Sequence, residues 1–140
     1  MFRVSMITLG VADVAAATAF YERFGLRKSS ASQESVSFFQ LGPVVLGLFG
    51  REALKEDGNA ASVWTGNGGV TLAQNLGSEY EVDQAMTHAE NLGAVILKPA
   101  QRAFWGGYHG YFADPDGHVW EIAYNPAFNR DDTGAVILPS

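Results

Sequence analysis

A chain of 140 residues, 47% hydrophobic and 17% charged, can bury one substantial core but is too short for two ordinary domains. Its net charge of -6 and pI of about 4.9 disfavour nucleic acid or an anionic membrane as the main partner. It has no cysteine, which excludes disulfides, thiolate catalysis and cysteine-ligated zinc or iron–sulfur centres, and fits a reducing compartment.

Residues 1–10 alternate like a strand and lack the long apolar block of a signal peptide. Residues 4–11 read as a strand, and Asp13 is a good N-cap for a helix on which Val14, Ala17, Tyr21 and Phe24 recur at helical spacing before Gly25 stops it. Residues 26–30, 35–41 and 44–49 read as three further strands, the last two joined at Gly42-Pro43. The strongest apolar stretch, 44–49, is far too short to span a bilayer, so a cytoplasmic location is expected. Residues 51–69 are polar and rich in Gly and Asn, and read as a linker. The order then repeats. A strand over 70–76 precedes a capping box at 78–81, and Val82, Ala85, Met86, Ala89 and Leu92 mark a second helix that Gly93 stops. A strand over 94–98, a short strand over 102–105 and a hairpin over 108–124 complete the second half. Two βαβββ halves with a linker between them imply an internal duplication.

The hairpin is the most informative segment. Asp114-Pro115-Asp116-Gly117 is a turn because Pro115 presets φ, Gly117 tolerates positive φ and the aspartates can bond their own backbone. If residues 113 and 118 pair across it, Phe112 faces Val119, Gly110 faces Glu121 and Tyr108 faces Ala123. Glu121 would then stand on a largely apolar face with space beside it. Tyr111 and Trp120 would share the helix-facing side.

Ile7-Thr8-Leu9-Gly10-Val11-Ala12-Asp13 leading to Ala19-Phe20-Tyr21 and Phe24-Gly25-Leu26, then Phe112-Ala113-Asp114-Pro115-Asp116-Gly117-His118-Val119-Trp120-Glu121-Ile122, resemble the vicinal oxygen chelate superfamily. That group contains glyoxalase I, bleomycin-resistance proteins and extradiol dioxygenases. Residues 51–56 and 98–107 resemble an uncharacterised bacterial branch of it. The resemblance implies an α+β fold in which two βαβββ modules form an open, curved mixed-sheet cup around a small-molecule site, commonly in homodimers. Residues 3–126 would form the single domain, with halves 3–50 and 70–126 flanking the linker and a C-terminal tail over 127–140.

Metal enzymes of the family place His or Glu at one point on each of four cup strands. Here those positions offer Met6, Val70, no ionisable residue in 44–49, and Glu121. One carboxylate cannot hold a catalytic divalent ion by itself, so the expectation is no metal and no cofactor. The three histidines do not substitute readily. His88 falls on the flank of the second helix. His118 is an odd step from Glu121 on a strand, which puts the two on opposite faces. His109 also falls on the other face, opposite Ile122, unless a bulge near Gly106-Gly107 or Gly110 shifts the register.

Glu121 is the candidate catalytic residue, against the plainer reading of a half-buried acid paired with a nearby donor. Burial would raise its pKa toward general acid–base work. Trp105, Tyr108 and Phe112 could wall a planar ligand, or simply pack in a core or interface. Gln74, Thr8 and Arg102 are candidate ligand contacts: an amide to orient a ligand, a hydroxyl on the Met6 face, and a cation for Glu121 or an anionic group. Trp64 could cap the cup or serve an interface. Gly66, Gly68 and Gly69 resemble a phosphate loop, but no Lys-Ser/Thr follows, so that reading is rejected. Two functions follow. One is metal-free binding of a small, planar, neutral or cationic molecule. The other is a lyase or isomerase in which Glu121 moves a proton beside a carbonyl, with Tyr108, Gln74 or Arg102 steadying the oxyanion. A homodimer is expected, with no nucleic-acid or membrane partner.

Overall fold

The computed structural model describes residues 4–64 and 69–139, and the chain divides into two compact units at residues 68 and 69. The first holds β1 (Met6–Val11), α1 (Val14–Phe24), β2 (Val36–Leu41), β3 (Val44–Gly50) and α2 (Arg51–Asp57). Its sheet runs β1-β3-β2, with β1 parallel and β2 antiparallel to the central β3. The second holds β4 (Thr71–Asn75), α3 (Glu79–Asn91), β5 (Val95–Arg102), β6 (Tyr108–Ala113), β7 (Val119–Tyr124), β8 (Asn129–Arg130) and β9 (Val136–Ile137). Its main sheet runs β4-β7-β6-β5, with β4 parallel to β7 and the other neighbours antiparallel.

The two units share one strand arrangement. The first strand of each unit lies parallel to the last strand of its sheet, which also pairs with the strand before it. Residues 26–30 do not form a full strand; Lys28 makes a single bridge to Phe39, the place that β5 fills in the second unit. Residues 51–57 are helical rather than linker. The linker residues 65–68, with Gly66 and Gly68, lie outside the described residues.

Helix α1 starts where its sequence says it should. The Asp13 carboxylate accepts from the Ala16 N–H at 3.0 Å, and Gly25 ends the helix at φ +112°. Its apolar stripe packs on one sheet face, where Tyr21 meets Phe39 at 6.3 Å between ring centres and the Thr18 and Ser37 hydroxyls bond at 2.7 Å. Leu9, Val11, Phe39, Leu46 and Leu48 are buried on that face, each worth about 1.5–3 kcal/mol relative to exposure. In the second unit Ser78 caps α3 by accepting from the Glu81 N–H at 3.2 Å. Val82, Met86 and Ala89 turn inward from α3.

Three tight connections share one construction. In 103–107, 114–118 and 131–135 the first residue's N–H donates to the fifth residue's carbonyl, at 2.9, 2.9 and 3.0 Å. The fourth residue is Gly106, Gly117 or Gly134, at φ +94°, +85° and +90°. Each is a three-residue hairpin loop with a left-handed glycine before the second strand. This corrects the expected register of the β6–β7 hairpin. Asp114 joins the strand by bonding His118 across the loop, so the turn has three free residues instead of four. Ala113 therefore pairs with Val119, Phe112 with Trp120, Tyr111 with Glu121, and Gly110 with Ile122. A slip of one residue changes which faces meet.

Candidate functional site

Because Tyr111 lies opposite Glu121 and His109 is two residues away on the same strand, all three side chains share one face of the second sheet. The His109 Nδ1 lies 2.7 Å from Glu121 Oε2, and the Tyr111 hydroxyl donates to the same oxygen at 3.1 Å. The side chains of His109 and Glu121 are 9% and 21% exposed. The Tyr111 and His109 rings meet edge to face at 5.4 Å, and Trp105 meets His109 in the same manner at 5.2 Å. Burial, then the bond to Glu121, pushes the Tyr111 phenol above the usual tyrosine range, so this group stays a hydrogen-bond donor.

Trp105 reaches His109 because of the loop that carries it. The Trp105 ring lies over Gly107, where a side-chain carbon would overlap it and would stand 2.6 Å from the Tyr124 carbonyl oxygen. Gly107 is thus a close-approach glycine: its missing side chain is the room the indole uses. Trp105 is 38% exposed, so one part of the ring covers His109 and another meets solvent.

The other expected site residues fall elsewhere. Tyr108 and Phe112 stand on the opposite face of the sheet, toward α3. The Tyr108 hydroxyl donates to Asp83 Oδ1 at 2.6 Å, and that bond is the main reason its phenol is raised above its ordinary range. Phe112 is buried and stacks on Trp120 at 6.5 Å with planes 10° apart. Trp120 is thus on the helix side as expected, whereas Tyr111 is not. Gly110 leaves no space beside Glu121. A side-chain carbon there would stand 2.8 Å from Met86 Cε of α3 and 3.0 Å from the Lys98 carbonyl. Gln74 is in register with Ile122 and so belongs to the face opposite Glu121. Arg102 pairs in register with Tyr108, and its Nε reaches Glu79 at 3.7 Å rather than Glu121. Thr8, in the first unit, shares a face with Met6, with its Oγ1 3.2 Å from where a Gly47 side chain would begin. Trp64 is exposed, and its backbone N–H donates to the Ala60 carbonyl at 2.8 Å. His88 is exposed in the last turn of α3, and the His118 backbone N–H donates to Asp114 Oδ1 at 2.8 Å.

Sequence reasoning missed His109 and Tyr111 as companions of Glu121. The signal was present: Asp-Pro-Asp-Gly-His can close as a three-residue loop with glycine left-handed, which alone sets the register. The shift lies at Gly117, not at the glycines preceding or within β6.

Metal enzymes of this fold hold a divalent ion on His and Glu side chains at four strand positions. Met6 and Val70 bring a thioether and a hydrocarbon to two of the ligand positions, and β3 brings no ionisable side chain. Glu121 Oε2 is already engaged by two donors. Among the described residues no group of three or more His, Cys, Asp or Glu is placed to hold a metal ion. The residues present do not fit such an ion.

The topology of the two units is that of an α+β protein of the glyoxalase fold. The family model of the Glyoxalase/Bleomycin resistance protein/Dioxygenase superfamily matches residues 3–122, and the chain belongs to that superfamily. It is similar to a glyoxalase-related enzyme from Fulvimarina pelagi, with 36% identity over the whole of both chains and a TM-score of 0.90. It is also similar to a lactoylglutathione lyase from Agrobacterium tumefaciens, at 25% identity over 89% of this chain and 95% of that one, with a TM-score of 0.67. A glyoxalase/bleomycin resistance protein/dioxygenase family enzyme from Burkholderia phytofirmans PsJN shares the fold, at 22% identity over 86% and 96% of the chains and a TM-score of 0.77. No curated protein matches by sequence. No described helix is long and apolar enough to cross a membrane.

Proposed function

We propose that this protein binds a small, planar organic molecule without a metal ion, on the face of the second sheet that carries Glu121, His109 and Trp105. One observation supports this most: the only carboxylate at a family ligand position is held by His109 and Tyr111, while Trp105 offers an exposed aromatic surface beside it. A carboxylate with these two donors is organised for hydrogen bonding rather than for coordination. The lyase or isomerase reading based on Glu121 as proton acceptor is weakened by the two donors on Oε2. We place the protein in the cytoplasm as a homodimer without a nucleic-acid partner; the exposed Val95 and Leu97 on the edge strand β5 suit burial against a second copy.

A thermal-shift screen over planar aromatic metabolites and antibiotics tests the reading. A true ligand should raise the midpoint saturably, by about 2.7 kcal/mol of stability at one hundred times its Kd. A flat response across the library would refute it. Protein purified without chelators should hold no stoichiometric transition metal, and neither zinc nor a chelator should move the midpoint; about one firmly held metal per subunit would overturn metal independence. Sedimentation showing a monomer at micromolar concentration would remove the dimer.

A further inference from the structure

His109 is a buried side chain with one of its two ring nitrogens in use. Its Nδ1 meets Glu121 Oε2 at 2.7 Å. Where the carboxylate is ionised and the imidazole neutral, Nδ1 carries the hydrogen. A neutral imidazole has a single ring N–H, so Nε2 is left with a bare lone pair. Among the described residues Glu121 is the ring's hydrogen-bond partner, and no buried side-chain nitrogen or oxygen lacks a partner. Nε2 is therefore not completely enclosed, on a residue 7% exposed overall. A ring nitrogen that is not completely enclosed, held from behind by a carboxylate and bordered by the half-exposed Trp105, is arranged to take a proton from a molecule lying against the indole.

We propose that His109 Nε2 is the proton-accepting group of this site, with Glu121 and Tyr111 as positioning residues, and that the bound molecule is a planar, uncharged aromatic carbon acid. The inference rests on the binding reading above and names its substrate class. Charge selects the uncharged form. Before transfer the His109–Glu121 pair carries one negative charge. Afterwards the pair is a neutral imidazolium–carboxylate and the negative charge has moved to the substrate, so the total is unchanged. An anionic substrate would add a second negative charge in a mostly dry site. In the step the substrate's C–H bond breaks, its electron pair stays with the substrate and the proton bonds to Nε2. The proton then leaves to water or returns to the product, and no oxidant, reductant or other co-reactant is required. Tyr111, held protonated, keeps Glu121 turned toward His109.

The probe is 5-nitrobenzisoxazole, a planar neutral carbon acid. Loss of its ring C–H proton breaks the N–O bond, forms a nitrile and releases a coloured phenolate, so proton removal is read directly. The purified full chain should turn it over saturably and faster than free imidazole at the same concentration. His109→Gln should lower kcat by about 100-fold or more. Trp105→Ala should act mainly on KM. A positioning role for Glu121 has its own signature: nitrogen-15 NMR of wild-type protein should show His109 as the Nδ1–H tautomer, and Glu121→Gln should shift it toward a mixture. An Nε2–H tautomer in the wild type overturns the proposal without reference to any variant's folding. So does turnover unchanged in His109→Gln, or the absence of saturable turnover. Saturable binding of the probe without turnover ends the proton-transfer inference but leaves the binding reading standing; only the flat library screen removes the latter.

Discussion

Replacing Glu121 in two ways separates its charge from its place in the hydrogen-bonded cluster. Oε2 accepts from His109 at 2.7 Å and from Tyr111 at 3.1 Å, in surroundings where the two acid–imidazole side chains are only 21% and 9% exposed. Glu121→Ala leaves both donors without their acceptor. Each buried donor left unpaired costs about 1–3 kcal/mol, so a loss of about 2–4 kcal/mol is expected once the solvent that reaches the cavity is allowed for. Glu121→Gln keeps an oxygen in the same place and can still accept from both. It loses only the ionic contribution; charge-assisted bonds are roughly twice as strong as neutral ones, which sets its cost near about 1 kcal/mol. Urea unfolding followed by near-ultraviolet circular dichroism measures both, as a fall in the midpoint at unchanged m. If Ala were within about 0.5 kcal/mol of wild type, the cluster would not be holding anything. If Gln cost as much as Ala, the charge and not the acceptor would be the element that matters, and the argument from two donors on one oxygen would fail.

Tyr111 gives a pH signature. Its folded pKa is raised by burial and by Glu121, above the ordinary 10.0, so the stabilisation it carries is complete below pH 10.0 and is lost as pH rises through the folded value. Tyr111→Phe should flatten that alkaline decline in stability, and equal slopes for the two proteins would count against the assignment. Gly107→Ala should destabilise by about 1–3 kcal/mol and displace Trp105 from His109, since the Tyr124 carbonyl cannot yield as the indole can; an unchanged tryptophan spectrum and midpoint would refute this. Asp114→Ala strips the acceptor from the Asp116 and His118 N–H groups, at 2.9 and 2.8 Å, in a loop whose first residue is 3% exposed. Urea unfolding should show a loss of about 2–4 kcal/mol, and a loss below about 0.5 kcal/mol would mean the loop is not held by its aspartate.

Helix ends and the repeated strand–helix order were readable because capping chemistry is local: Asp13, Ser78, Gly25 and Gly93 act on backbone groups within a few residues. The hairpin register was not, because it depends on whether Asp114 or Ala113 makes the last cross-strand pair, a choice the apolar alternation does not fix. Glu121 was found on the face away from the helix, with Trp120 on the helix side, but with the wrong neighbours. His109 and Tyr111 replaced Tyr108, Gly110 and Phe112 for that one reason. Residues 51–57 carried a helix signal that the surrounding polar stretch concealed: Ala, Leu, Lys and Glu are good helix formers, and Glu52 pairs with Lys55 at 3.4 Å one turn on. The strand expected at 26–30 survives as one bridge at Lys28, since two residues farther on the chain already turns at 30–31.

The three-residue loop at 115–117 makes the site's chemistry a matter of counting. Alternation on a strand is binary, so closing the turn at Ala113 and His118, which frees four residues instead of three, would shift β6 against β7 by one step without altering a single side chain in either strand. Glu121 would then lie opposite Gly110, and the imidazole and phenol that now reach it would be delivered to the helix. A relative with the same strand residues and a turn closed one residue earlier would present a lone acid beside a glycine, and a relative closed as here presents an acid already joined to a base. The pair that closes this turn is therefore a better guide than the identity of Glu121 to which chemistry a homologous chain can offer.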